Sequence, residues 1–225
     1  MRERTTALSV ALGLAIAGLA CSSTETNVVN QYFTALRAND QGTLTSFAMV
    51  AFDQKVDDFS IVAVSPGVRT PATLPDLVKK QKDLEAELAK NTRDARAWGN
   101  DLNIYPKLDQ VRSLEQKGTR IPASLEPIHQ KWTEFNQKDR ELKKAVSEAK
   151  AAVEREKRNA TLSVGETEDI ETLTGEVLSK DVELNLTIGG QVKPYVMTLR
   201  KYELTGGAGP RMVSRWVVQS LVPKG

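Results

Sequence analysis

What this 225-residue chain lacks narrows it first. It has one cysteine, Cys21, so no disulfide can close within the chain. It has one histidine, His129, which argues against a histidine-built metal site or triad within one subunit. The net charge is only +2, so no basic field calls for nucleic acid, and none is expected as a partner. The long uncharged run, Thr5 to Ala20, is shorter than the about 20 residues of a comfortable membrane span. No residue constellation specifies a reaction, and neither cofactor nor metal is expected. Aromatic residues are scarce at 5% while charged residues reach 27%. One segment skews both figures: Asp76 to Arg158 holds 34 of the chain's 60 charged side chains. The remainder has an ordinary globular composition, so the chain reads as a compact part plus a projecting arm.

The arm is the feature around which the rest is organised. In Leu125, Ile128, Trp132, Phe135, Asp139, Leu142, Val146, Ala149, Val153, Glu156 and Ala160 the steps alternate between three and four. The series Leu74, Leu77, Gln81, Leu84, Leu88, Asn91, Ala95, Trp98, Leu102, Tyr105 keeps the same beat. A repeat averaging 3.5 residues holds one narrow stripe against a partner helix, which predicts an antiparallel coiled-coil hairpin. The first arm is expected from Leu74 to Gln116 with a kink or break near Tyr105, because Pro106 removes a helical hydrogen bond. Residues 117–122 form the tip, and the second arm runs from Ala123 to Asn159. Each arm of roughly 40 residues would reach about 60 Å at 1.5 Å per residue. Gln81, Asn91 and Asp139 interrupt the seam, either setting register or lying solvated in a pair too thin to bury them. Trp98 and Trp132 either stack near one another in the antiparallel pairing or, the favoured reading, fill the core where the seam needs large side chains, and His129 is expected to point outward.

The N-terminus has the layout of an export signal. Arg2 and Arg4 precede the uncharged run, which ends Ala17-Gly18-Leu19-Ala20-Cys21. This ending resembles a bacterial lipoprotein signal, in which small residues precede the cysteine that is acylated. The resemblance implies a lipid anchor at Cys21 and a place in the cell envelope, on the periplasmic face of the outer membrane given Ser22. An ordinary secretory signal cleaved nearby is the alternative. Helix begins within a few residues of Cys21, so the folded part would sit close to the bilayer.

The flanks of the arm read as α+β. Val28, Val29, Tyr32, Phe33 and Leu36 share one helical face, with Thr24 or Thr26 as cap. Asp40 can cap a second helix over Thr43 to Phe52. Lys55 to Ser65 alternates as a strand, and residues 68–73 form a stiff lead into the arm. After Asn159 the period switches to two. Glu168 to Ile188 reads as a long strand bent at Gly175, Gly189-Gly190 is a hairpin turn, Gln191 to Leu204 follows, and Arg211 to Val222 is the last strand with Trp216 central. The phrases 28–40, 196–202 and 215–218 resemble the nuclear-transport-factor-2-like fold, shared with SnoaL-like cyclases and ketosteroid isomerases. That resemblance implies helices wrapped in a cone by a curved antiparallel sheet. The expected organisation is a signal at 1–20, the first part of the α+β domain at 21–72, the coiled-coil insertion at 73–163 and the completing sheet at 164–225.

Three functions are in view. The first is a non-catalytic, membrane-anchored binding or scaffold module whose hairpin docks a protein partner or a second copy. The second is small-molecule binding within the cone, with Tyr32, Phe47, Phe59, Tyr195, Tyr202 and Trp216 as candidate lining residues; burial preferences make the same six candidates for core. The third is a SnoaL-like lyase or isomerase, which the resemblance brings with it. For that chemistry only Asp40, Asp57 and Asp58 stand near plausible positions, without a second acid or base beside them.

Overall fold

The structure, a computed structural model, describes residues 23–206 and 212–225. The export signal and Cys21 therefore lie outside the described residues. The fold is α+β. Five helices, α1 (Thr24–Arg37), α2 (Gln41–Phe47), α3 (Leu74–Gly99), α4 (Tyr105–Gln116) and α5 (Glu126–Val164), accompany an open antiparallel sheet. Its strands are β1 (Asp58–Val64), β2 (Val68–Pro71), β3 (Thr174–Ile188), β4 (Gln191–Thr205) and β5 (Val217–Pro223). The order is β1-β3-β4-β5, and β2 lies on the same edge of β3 as β1.

The spine of the sheet is the β3–β4 hairpin, whose register runs unbroken from Thr174↔Thr205 to Ile188↔Gln191. Gly189 and Gly190 both take positive φ, 57° and 75°, as a two-residue hairpin turn requires. Successive side chains on a strand point to opposite faces, and the two faces take different helices. Val182, Leu184, Tyr195 and Met197 join Val29, Tyr32 and Phe33 of α1 and Leu44 and Phe47 of α2 in one core. Val177 and Tyr202, of the other parity, join Leu74 of α3 and Val153 and Ala160 of α5 in a second. Each fully buried large apolar side chain contributes about 1.5–3 kcal/mol.

Local capping explains the helix starts. Ser23, rather than Thr24 or Thr26, caps α1, its Oγ accepting from the Thr26 amide. Asp40 caps α2 as expected, accepting from the Thr43 amide at 2.9 Å. The last strand is shorter than expected, and Trp216 precedes it instead of sitting at its centre. Residues 68–71 form a strand, not a stiff lead. Pro71 is tolerated there because β2 is an edge strand at its end.

Helices α3 and α5 lie side by side and run antiparallel, with Glu87 bridged to Lys138 at 2.9 Å and Glu85 to Lys150 at 3.0 Å. The interruption expected near Tyr105 is present, as a break ahead of Pro106 and not as a kink in a continuous helix. Helix α3 ends at Gly99, residues 100–104 turn, and Pro106 sits in the first turn of α4, where its missing N–H costs nothing. The turn closes on Asp101, whose carbonyl accepts from the Tyr105 amide and whose side chain accepts from the Asn103 amide at 2.8 Å. Helix α5 runs on to Val164, beyond the expected Asn159.

Gly175 is the tightest point of the spine. Its φ is 146°, and a Cβ there would collide with the Glu203 carbonyl oxygen. Gly175→Ala is expected to lower unfolding stability by about 2–3 kcal/mol in chemical denaturation. Gly190→Ala, with positive φ but open space around it, should cost less than Gly175→Ala in the same measurement.

Candidate functional site

The six aromatic candidates fall into the packed cores. Tyr32, Phe47, Tyr195 and Trp216 belong to the core under α1 and α2, with Phe59 packed against it, and Tyr202 belongs to the core under α5. Phe33 stacks on Phe59 at 4.4 Å and meets Tyr32 edge-on at 5.3 Å. The Tyr32 hydroxyl donates to the Val50 carbonyl at 3.1 Å, and burial pushes its phenol up to about 12. None of the six lines either cavity described below. Among the carboxylates considered for chemistry, Asp40 is a helix cap and Asp58 faces Arg37 at 3.4 Å in solvent. Asp57 borders an open depression of about 740 Å³ between the end of α1 and the segment before β1, with Arg37, Phe52, Asp53 and Lys55. Among the described residues no cluster of three or more His, Cys, Asp or Glu could hold a metal.

Sequence reasoning treated Glu156 only as a tolerated seam position. It is in fact the hub of a buried polar cluster between α5 and the sheet. The Tyr202 hydroxyl donates to Glu156 Oε1 at 2.8 Å, and Arg200 reaches Oε2 at 3.2 Å. Burial first, and then the Glu156 charge, push the Tyr202 phenol above its ordinary range, so it stays a donor. Two turns on, Ser163 Oγ donates to the Arg215 carbonyl at 2.7 Å and accepts from the Tyr202 amide at 3.0 Å. Arg215 in turn donates to the carbonyls of Leu162 and Ser46, each at 2.8 Å, joining the ends of α5 and α2. Between Glu156 and Ser163, Asn159 is wholly buried, and both polar atoms of its amide are without a protein partner. The spacing of Glu156, Asn159 and Ser163 on one helical face was visible, but only the sheet's position shows that the face is buried. A second clamp ties α1 to the sheet. Lys180 Nζ lies 2.6 Å from Glu25 Oε1 and 5.7 Å from the centroid of the Trp216 ring. Burial opposes ionisation of Glu25, but the hydrogen bond from Lys180 and local donors hold its carboxyl below the usual range.

The more open site is on the helices. Where α3 ends and α4 begins, a half-open cavity of about 300 Å³ forms against α5. Trp132 and Phe135 of α5 and Tyr105 of α4 supply its aromatic lining, and Arg96 and Arg112 its cations. The Arg112 guanidinium lies 4.3 Å from the Trp132 ring centroid, a cation–π contact. The two tryptophans do not pair as the repeat suggested. Trp98 meets Phe135 at 5.6 Å, and Trp132 takes Arg112 instead. Of the polar seam residues, Asn91 is buried and donates to the Phe135 carbonyl at 3.3 Å. Gln81 donates to Glu85 at 3.1 Å, and Asp139 pairs with Lys143 at 2.7 Å. His129, half-buried rather than pointing outward, lies 3.2 Å from Glu115 in the last turn of α4. Arg96 and Arg112 make no ion pair among the described residues, while the one carboxylate lining the cavity, Asp139, is already engaged.

Two outcomes follow for the polar groups. Because the Glu25 carboxyl is depressed in the folded state, its contribution is complete above the unfolded value of 4.5 and is lost as pH falls through the folded one. The loss of stability between neutral and acid pH should therefore be smaller in Glu25→Gln than in the unsubstituted protein, as read by denaturant titration at each pH. Asn159→Leu should hold or raise stability, by about 1–3 kcal/mol if the orphan amide is unhydrated, since it removes buried polar atoms that lack protein partners. Comparison of the chain with protein-family models, with curated proteins and with solved structures finds no match.

Proposed function

We propose that this chain is a non-catalytic binding module of the bacterial envelope, lipid-anchored at Cys21 on the periplasmic face of the outer membrane. In this reading the α+β part is a cone-like body. Helices α3, α4 and α5 form an inserted coiled-coil arm, and the arm docks a protein partner. The single observation that carries the docking is the interruption of the arm. A plain two-helix spacer has no use for a break at residues 100–104 that leaves Leu102 90% exposed and Tyr105 55% exposed beside an aromatic cavity. The body supports the same division of labour. The side chains that would line a ligand cavity within it are packed against one another on either face of the sheet. The candidate acids and bases are capping or solvated. Helix α1 starts at Thr24, so an acylated Cys21 would leave almost no tether, and the Glu25–Lys180 clamp would carry the load from anchor to sheet. Among the described residues no helix is long and apolar enough to cross a membrane, so membrane attachment in this reading rests on the lipid.

Two measurements test the two halves. Cys21→Ala should move the protein from the detergent phase to the aqueous phase on Triton X-114 partition of cell extracts, and should abolish labelling with radioactive palmitate. A variant that stays lipidated or in the detergent phase removes the anchor. For the arm, a photo-crosslinking residue at Arg93 or Arg140 should give an adduct with one discrete partner, and one at Val192 on β4 should not. Adducts arising only from Val192 would move the interface to the sheet.

A further inference from the structure

The lining of the arm cavity is unbalanced in a way that names its occupant. Its lining is aromatic, and its unpaired charges are positive. Arg96 and Arg112 are unpaired among the described residues, whereas Asp139 is neutralised by Lys143 at 2.7 Å. Two guanidiniums without carboxylates beside a stacked tryptophan are suited to a planar group next to a carboxylate. The guanidinium fork binds the carboxylate in two parallel hydrogen bonds, and the ring completes the stack. A volume of about 300 Å³ stands at the lower end of small-molecule sites and suits one aromatic side chain with its neighbours. Exposed Leu102, in the turn at its edge, offers apolar contact to chain continuing past the pocket. Single anchors of this kind, an aromatic ring seated among arginine and tryptophan, carry most of the energy of protein interfaces.

We infer that the cavity between α3, α4 and α5 receives an aromatic side chain flanked by acidic residues from the partner protein. The ring lies against Trp132 and Phe135, and the carboxylates pair with Arg96 and Arg112. This inference rests on the reading of the arm as a docking element and adds to it the chemistry of the docked segment.

Three acetylated, amidated tripeptides separate ring from charge: Asp-Phe-Asp, Asn-Phe-Asn and Asp-Ala-Asp. Added to the full chain in detergent, they are read by tryptophan emission, since two of the three tryptophans, Trp98 and Trp132, flank Phe135 or the cavity. Asp-Phe-Asp should produce a saturable change, with the other two at least about tenfold weaker. Arg96→Gln, an exposed substitution that leaves the packing alone, should weaken Asp-Phe-Asp about tenfold and leave Asn-Phe-Asn unchanged. Arg112→Gln, with folding checked by circular dichroism, should weaken Asp-Phe-Asp at least as much, since Arg112 also stacks on Trp132. Equal binding of all three peptides, no saturation up to about 10 mM, or indifference to both arginines overturns the inference. If the peptides fail while Arg93 and Arg140 still crosslink one partner, the docking reading stands and only the cavity's role falls. If Asp-Phe-Asp binds but the arm crosslinks nothing, the protein source is wrong. N-acetylphenylalanine binding as tightly as the peptide would then assign the pocket to a free aromatic acid.

Discussion

Everything in this fold depends on the uninterrupted pairing of β3 with β4. A ladder of this length fixes which residues point to which face, because a slip of one residue would exchange every side chain between the two. Its turn residues, Gly189 and Gly190, and the close approach at Gly175 pin that register from both ends. Given the register, Val182, Leu184 and Met197 must meet α1 and α2, and Val177 and Tyr202 must meet α3 and α5. The two helical systems are thus held apart by the sheet. They communicate mainly at its margins, where Arg215 binds the ends of α2 and α5 together.

The helical pair obeys a weaker rule. Its ion pairs are exposed and worth little individually, and its seam carries polar residues at several levels. Its firmest root is where α5 meets the sheet through Glu156, Tyr202 and Ser163. Burying a carboxylate there is tolerable because Arg200 and the Tyr202 hydroxyl, whose phenol burial pushes above its ordinary range, both answer it. Specificity is the gain. An apolar helix face could slide along β4, but one whose Glu156 must find Tyr202 and whose Ser163 must find the Tyr202 amide has a single seat.

Much of the secondary structure was legible in the sequence. The three-four beat marked both long helices, Asp40 marked the start of α2, and Gly189-Gly190 marked the hairpin, because each is a local effect. What escaped was non-local. Residues 68–71 alternate too briefly to announce a strand, and only the unfilled edge of β3 makes them one. Pro106 announced a break near Tyr105 but not its place: α3 already stops at Gly99, where a Cβ would press on Leu108 at 3.3 Å. Beside it Trp98 meets Phe135 and Trp132 takes Arg112. The cavity was therefore invisible: its arginines and aromatics come from three helices whose offset no repeat encodes. Glu156 was missed for the same reason, since a helix position is buried only by what packs on it.

These departures from the local rules are not scattered. Among the described residues, every buried side-chain nitrogen or oxygen has a partner apart from the Asn159 amide and Gln219 Oε1. Packing on both faces of the sheet leaves little to recognise except surface. On the arm the departures gather in one place. A helix is broken ahead of Pro106, two arginines stand without ion-pair partners among the described residues, and Leu102 and Tyr105 are exposed at the break. Sequences that fold well agree at every level, and they break that agreement where something other than folding sets the residue. Beyond the break α4 still buries Leu108 and Val111. That interruption, with an aromatic pocket and arginines unpaired among the described residues beside it, is what the proposed docking reading rests on.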